Sequence, residues 1–243
     1  MQQLPESKKT KRIDYFGLNH PQSAYDGLRL PPGHLVIICN GWQPQAQLGD
    51  GRVCVMLRGK IYTKRCRRYD VAGHAHELTF SCYGDKAFLS SERICKYLVD
   101  SIISSREKHQ FDLWAYVFMP DHVHLLICPK RPQYSICDIL LSIKQPVSRK
   151  AINYLKKNNP DGLKNLATSQ IHRAYRFWQK GGGYDRNITK VKTIIDLVHY
   201  IHNNPVRKGL VETVDQWYYS SAADWQNIRQ GPIPIDFDSF PVA

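Results

Sequence analysis

Near the middle of the chain two apolar, β-rich runs, Leu113 to Phe118 and His122 to Cys128, are separated only by Met119-Pro120-Asp121. So short a break, with a proline and an aspartate in it, obliges the runs to turn back on each other as an antiparallel hairpin. The flanking segments must then arrange themselves around that hairpin. Upstream, Leu78 to Tyr83 alternates as a strand, and Ser90 or Ser91 caps an apolar-periodic segment that reads as a helix to about Glu107. Downstream, Ser135 with Asp138 three places on opens a second helix, which Pro146 is expected to end or kink. A polar loop is expected from about Asn158 to Gln170 and a fourth strand over His172 to Trp178. Asn187 or Thr189 then caps a last helix that stops at Pro205. This order, β-α-β-β-α-β and a helix, predicts an α+β fold: a ferredoxin-like antiparallel sheet with helices on one face and a C-terminal helix that bears a tyrosine.

At 243 residues, 42% of them hydrophobic, the chain can hold one large domain and an appendage. Residues 1–66 read as a basic N-terminal extension, disordered to about residue 20 and then rich in Pro, Gly and Gln, with short apolar runs at His34 to Cys39 and Val53 to Leu57. The main domain is expected over 67–225, with a C-terminal tail over 226–243. No uncharged apolar run is long enough to span a bilayer, and MQQLPESKKTKR lacks the apolar core of a signal peptide, so a cytoplasmic location is expected. Seven Cys, an odd number without a CxxC pair, fit reduced thiols better than a disulfide framework or a zinc ribbon.

Charge narrows the partners. Lys and Arg number 34 against 21 acids, a formal +13, which favours a polyanion. Between Lys144 and Lys190 stand eleven Lys or Arg and two acids, Asp161 and Asp185, and between Arg52 and Arg68 seven and none. Tyr62, Tyr154, Tyr175, Phe177, Trp178 and Tyr184 are interleaved with these charges, as where bases stack and phosphates pair. A solvated basic face is the plainer alternative. A membrane-surface helix is disfavoured, because Lys144 to Lys157 is interrupted by Pro146 and has no strong apolar stripe.

His122-Val123-His124 opens the second hairpin strand, so the two imidazoles point to one face while Val123, Leu125 and Ile127 point to the other. Paired imidazoles on a rigid strand suit a divalent metal. The same pattern recurs at His74-Ala75-His76, and half-exposed strand histidines bonded to backbone or water are the plain reading of either. In the last helix Ile188, Val191, Ile194, Ile195, Val198 and Ile201 form an apolar stripe, and Tyr200 and Asn204, one turn apart, share a different face. Tyr200 is either an amphipathic surface residue or a phenol placed to attack a phosphodiester polarised by metal. Asn204 could give its amide oxygen to that metal.

These residues carry a resemblance. Met119-Pro120-Asp121-His122-Val123-His124-Leu125-Leu126 resembles the histidine-hydrophobe-histidine motif of single-tyrosine transposases. Tyr200-Ile201-His202-Asn203-Asn204-Pro205-Val206-Arg207-Lys208-Gly209-Leu210-Val211 resembles the tyrosine-helix signature of the branch associated with repetitive extragenic palindromes (REP). Arg67-Arg68-Tyr69-Asp70, Phe177-Trp178-Gln179, Asp215-Gln216-Trp217 and Ser220-Ser221 are further marks of that branch, and the similarity runs from about 67 to 225.

The resemblance implies cleavage and strand transfer of single-stranded, hairpin-forming, REP-like DNA through a 5′-phosphotyrosine. Tyr200 would be the nucleophile, and His122, His124 and Asn204 the ligands of Mg²⁺ or Mn²⁺. Insertion-sequence relatives more often carry Gln four residues after the tyrosine, and Asn is the shorter amide. The DNA contacts implied are Lys144, Arg149, Lys150, Arg173, Arg176, Trp178, Arg186 and Arg207. Because a phenol ordinarily ionises near pH 10, neighbours such as Lys144, Arg186 or Arg207 are candidates to stabilise a phenolate. Gly181-Gly182-Gly183 reads as a flexible turn rather than a phosphate cradle. A monomer is expected over a homodimer, in a bacterial cytoplasm and beside the nucleoid. A DNA-binding repressor or architectural protein on the same fold, and a phosphodiesterase that uses water instead of tyrosine, are the competing readings.

Overall fold

The computed structural model describes residues 69–170, 173–181 and 183–241 with their side chains, and the backbone of five strands between residues 13 and 63. The chain divides into two compact units, Met1–Arg67 and Arg68–Ala243. In the first, β1 (Ile13–Tyr15) pairs in parallel with β2 (Leu35–Asn40). An antiparallel meander follows through β3 (Gln43–Leu48), β4 (Val53–Leu57) and β5 (Lys60–Thr63). The two short apolar runs become β2 and β4, whereas β3, with its alternating glutamines, has no apolar signature to mark it in the sequence. Apart from β1, the expected disorder of the first residues lies outside the described residues, as do the basic side chains between Arg52 and Arg68.

The second unit is built on β6 (Ala75–Ser81), α1 (Glu92–His109), β7 (Phe111–Phe118), β8 (His122–Pro129), α2 (Ile136–Asn158), α3 (Pro160–Leu163), β9 (Ala167–Gln170), β10 (Arg173–Tyr175), β11 (Tyr184–Ile188), α4 (Val191–Arg207) and α5 (Ala222–Trp225). Its sheet is antiparallel with the order β11-β6-β8-β7, the ferredoxin-like arrangement, and puts the histidine strand β8 in an interior position. On one face Leu78, Phe80, Val123, Leu125 and Ile127 pack with Leu98 and Ile102 of α1 and Ile139 and Ile143 of α2. On the other face Val117 and Leu126 meet Ile194, Leu197, Val198 and Ile201 of α4. Alternation along β8 therefore sends Val123, Leu125 and Ile127 to the helix pair and its histidines toward α4. A register shift between Leu113 and Ala115 is a bulge that turns both Trp114 and Ala115 toward α4.

Three sequence expectations are corrected. Pro146 neither ends nor breaks its helix: α2 runs through it to Asn158. The proline deprives the Ser142 carbonyl of its helical donor. The buried Ser101 hydroxyl of α1 lies 3.2 Å from that oxygen and 2.8 Å from the Ile143 oxygen, so the neighbouring helix supplies the missing hydrogen bond. The fourth strand is β11, not His172 to Trp178; within that range β10 forms a separate hairpin with β9, in what reads from sequence as polar loop. β11 escapes a hydropathy reading because Asp185, flanked by exposed Tyr184 and Arg186, is one of its two buried residues. Its carboxylate meets His76 Nδ1 at 2.8 Å, and His76 Nε2 meets the Tyr134 hydroxyl at 2.7 Å. Finally, α4 passes Pro205 and starts after Lys190, not after Asn187 or Thr189. Asn204 Nδ2 lies 2.9 Å from the Tyr200 carbonyl and 3.4 Å from that of Ile201, the carbonyl that Pro205 leaves without a helical donor.

Residues beyond α4 close the edge of β7. Trp217 Nε1 donates to the Phe118 carbonyl, Ser220 bridges to Val117, and the Tyr116 amide donates to Ser221 Oγ. Ser221 Oγ also lies 2.8 Å from His202 Nε2, which ties the end of α4 to the sheet. The last stretch packs on the same unit: Ile233 is buried, and Asp236 accepts from the Leu113 amide and pairs with Arg106. Cys82 and Cys95 are buried thiols, and no described helix is long and apolar enough to cross a membrane.

Candidate active site

The site grows from the alternation of β8. His122 and His124 lie side by side with ring centroids 4.9 Å apart. Each has a second partner that fixes its ring. Asp121 Oδ1 takes His122 Nδ1 at 2.7 Å, and Thr79 Oγ1, directly across on β6, takes His124 Nδ1 at 2.8 Å. A carboxylate only accepts, so His122 carries its hydrogen on Nδ1 and, when neutral, presents the Nε2 lone pair. Burial, reinforced by His122 and opposed by Asp121, pushes His124 down to about 4, so its imidazole is neutral at neutral pH. Both rings are prepared in the way metal-binding histidines require.

Helix α4 lays Tyr200 against this pair. The Tyr200 ring meets that of His124 edge-on at 5.9 Å between centroids and remains 43% exposed, open to a large substrate. The Arg207 guanidinium stands 5.1 Å from the centre of the Tyr200 ring. Asn204, buried one turn beyond Tyr200, spends its amide nitrogen on the helix carbonyls. Among the described residues no cluster of three or more His, Cys, Asp and Glu is disposed to hold a metal. The described contacts bring together the two imidazoles and the Tyr200 ring, and place the Asn204 amide on the helix carbonyls one turn further on.

A cleft of about 580 Å³ opens from this cluster toward β11, floored by Glu77, Thr79, Tyr184 and Arg186 and walled by α4. Arg186 Nη2 binds Glu77 Oε2 at 2.9 Å, which turns this arginine from a free cation into half of an ion pair. Burial raises the Glu77 carboxyl above its ordinary range, and Arg186 pulls it back. A second groove, about 570 Å³, runs along α2 and the segment after β9. Lys144, Arg149, Arg173, Arg176 and Lys180 line it and no acid does.

The expected DNA contacts divide accordingly. Lys144, Arg149, Arg173 and Arg176 come together in the basic groove, where Lys144 Nζ also holds the Gly181 carbonyl at 3.0 Å. Arg186 and Arg207 are at the tyrosine site. Lys150 belongs to neither; it pairs with Asp100 and lies over the Tyr97 ring. Trp178 is placed differently from the exposed cations. It borders the basic groove but is 5% exposed: its indole donates to the Lys144 carbonyl and its ring packs edgewise on Phe80 and Phe177, so it serves packing more than stacking on a base. The second histidine pair is structural. His76 is spent on Asp185 and Tyr134, and His74 Nδ1 lies 3.2 Å from the Asn187 amide. Thr79, Asp121 and Glu77 escaped the sequence reading. Thr79 alone had a signal, as the strand residue on the polar face of the alternating Leu78-Thr79-Phe80.

The profile of the family described as IS200-like transposase matches residues 73–204. A Haemophilus influenzae protein assigned as a REP-associated tyrosine transposase is 28% identical over 137 residues, 54% of this chain and 73% of its own length. The REP-associated tyrosine transposase of Escherichia coli K12 is 24% identical over 171 residues, 70% of this chain and 88% of its own. Among solved structures, a REP-associated tyrosine transposase bound to a REP hairpin matches with a TM-score of 0.54 at 20% identity, over 74% of this chain and 98% of that one, a likeness of fold.

Proposed function

The chain belongs to the family of IS200-like transposases, and from that premise we propose that it cleaves and rejoins single-stranded DNA beside REP-like hairpins, with Tyr200 as nucleophile. The observation that carries this is the contact of Tyr200 with His124, at the edge of a histidine pair whose Nδ1 atoms are both engaged. His122, His124 and Asn204 would hold Mg²⁺ or Mn²⁺. When bound, such a cation polarises the scissile phosphate. The Tyr200 oxygen, its proton lost to solvent, forms a bond to phosphorus. The bond to the 3′-oxygen breaks, and that oxygen leaves with the electron pair and takes up a proton. The products are a 5′-phosphotyrosine and a free 3′-hydroxyl, whose return attack rejoins strands.

Arg207 faces the Tyr200 ring, where its positive charge can meet the charge that develops on the attacked phosphate. The all-basic groove takes the phosphates of the hairpin, an assignment supported by the REP hairpin bound in the structural relative. Tyr200 and the histidines of one chain already meet, which supports a monomer that completes its own site. The test is to incubate labelled single-stranded hairpin DNA with the full chain and Mn²⁺ and to look for protein-linked strand. Tyr200→Phe should abolish the adduct and Tyr218→Phe should keep it. An adduct that survives Tyr200→Phe removes the nucleophile assignment, and one indifferent to chelator removes the metal.

A further inference from the structure

His202, Trp217 and the pair Ser220-Ser221 are marks of the sequence that the chemistry leaves without a role, and the structure joins them. After α4 the chain returns along the outer edge of β7. The Trp217 indole donates to the Phe118 carbonyl at 2.8 Å, the Phe118 amide to the Tyr219 carbonyl at 2.9 Å, and the Ser221 amide to the Tyr116 carbonyl at 3.1 Å, with Ser220 bridged to Val117. On its inner side the same stretch of β7 pairs with the histidine strand, Val117 directly opposite His124. Ser220 and His124 thus flank Val117 on its two sides. Ser221 then reaches back to the tyrosine helix. Its buried hydroxyl accepts from the Tyr116 amide at 3.0 Å and lies 2.8 Å from His202 Nε2. Trp225 closes over the His202 ring at 6.2 Å between centroids, and its indole donates to the Trp114 carbonyl of β7. Among the described residues His202 makes the one side-chain hydrogen bond that leaves α4 for another element.

We infer that His202 and Ser221 are positioning residues, whose hydrogen bond fixes where Tyr200 stands against His124. The inference rests on the strand-transfer reading for what Tyr200 does there. Neither residue touches the reacting atoms; both act through β7. The path runs from Tyr200 along α4 to His202, across the Ser221 hydroxyl to the Tyr116 backbone, and from the adjoining Val117 to its register partner His124. Phenol and imidazole are thereby referred to one strand. The apolar stripe of α4 cannot do this alone, because apolar contact is non-directional and allows a helix to slide or turn on the sheet, whereas a hydrogen bond is restricted in distance and angle. Without the hydroxyl, His202 Nε2 and the Tyr116 amide lose a buried partner and α4 loses its register on the sheet. A misplacement of about 1 Å at Tyr200 is enough to lower a rate on the order of a hundredfold.

The test uses the full chain and labelled single-stranded hairpin DNA, and compares Ser221→Ala and His202→Leu, which remove the bond, with His202→Gln, whose amide nitrogen can stand where Nε2 does. At saturating DNA and Mn²⁺ the single-turnover rate of adduct formation by folded protein should fall on the order of tenfold or more in the first two. Affinity for the hairpin and its salt dependence should not change. His202→Gln should recover most of the rate, and the double variant Ser221→Ala with His202→Leu should lose no more than either single change. Ser101→Ala, which removes a buried hydroxyl far from α4, should keep the rate, so lost stability alone does not imitate the effect. If Ser221→Ala melts early, His202→Leu against His202→Gln decides. An undiminished rate in both removing variants, a loss accounted for by weaker DNA binding, or a His202→Gln no better than His202→Leu overturns the assignment. A second arm needs neither DNA nor metal: the fluorine resonance of a fluorotyrosine placed at Tyr200 should move toward that of the free amino acid in His202→Leu and return in His202→Gln, and an unmoved resonance overturns the assignment too. A chain whose resonance moves in this way but which never forms an adduct sinks the reaction and keeps the positioning bond.

Discussion

Two glycines of the turn before β11 have positive φ for different reasons, and replacing each by alanine separates local strain from a clash. Gly183 (φ +76°) abuts β6: a Cβ there would lie 2.0 Å from the Thr79 carbonyl oxygen and 3.1 Å from Phe80 Cα. Gly181 (φ +95°) has nothing within 4 Å of its would-be Cβ. Non-bonded carbon contacts sit at about 3.5–4.0 Å, so Gly183→Ala must lift the start of β11 off β6 by more than about 1 Å. A left-handed backbone costs an alanine about 1–2 kcal/mol, which both variants bear. Overpacking adds about 1–3 kcal/mol for Gly183→Ala alone.

Urea unfolding should therefore show a loss of roughly 2–5 kcal/mol for Gly183→Ala and about 1–2 kcal/mol for Gly181→Ala. The damage should also reach the chemistry. Thr79 Oγ1 holds His124 Nδ1 at 2.8 Å, so a shifted β6 turns that imidazole, and a misplacement of about 1 Å can lower a rate on the order of a hundredfold. Single-turnover cleavage by the folded fraction should fall in Gly183→Ala and hold in Gly181→Ala. Equal stability losses in the two variants, or unimpaired cleavage by folded Gly183→Ala, would refute the close approach and its coupling to His124.

The helix that passes through Pro146 makes a second prediction. Ser101→Ala should cost about 1–3 kcal/mol by stranding the Ser142 carbonyl, but much less in a Pro146→Ala background, where a restored backbone N–H takes Ser142. Strictly additive effects in that double-mutant cycle would show that Ser101 does not compensate for the proline. For the basic groove, Arg149→Ala, Arg173→Ala and Lys180→Ala should each reduce the salt slope of hairpin binding by about one for a lost phosphate contact. Trp178→Phe should lower the melting temperature while leaving that slope alone, and a changed slope would contradict its place in the core.

What could be read from the sequence was what obeys a period. The Leu113 to Cys128 hairpin, the single face shared by His122 and His124, and the apolar stripe of α4 all follow from alternation or helical spacing. Features held by polar partners distant in the chain could not be read. Asp185 hid a strand because its acceptor role is answered by His76, 109 residues away. The carbonyl that Pro146 leaves without a donor in α2 is met by a serine of another helix. Trp178 has the composition of a stacking residue and the environment of a core residue, and only packing separates the two. The same limit applied to the repeated histidine motif. His74 and His76 match the spacing of His122 and His124, but their partners are Asn187, Asp185 and Tyr134 rather than an open face beside a phenol.

The precision of the candidate site comes from neighbours that take no part in chemistry. Tyr200 is too exposed to be positioned by its own packing, so its place must be set by α4, and α4 is held in three ways. Ile194, Leu197, Val198 and Ile201 bury its apolar stripe on the sheet. His202, the residue between Tyr200 and Asn204 that follows Ile201, is clamped by Ser221, which is itself bonded to the Tyr116 backbone of β7. Asn204 mends the carbonyl left by Pro205 and so keeps the last turn wound. The histidines are fixed from the other side, because Val123 and Leu125, which alternate with them, are locked into the core beneath α1 and α2. Tyr200 and the histidine pair thus belong to two elements pressed together by the apolar contacts of adjacent residues. The motif residues retain an open, polar environment only because the residues between them supply the packing.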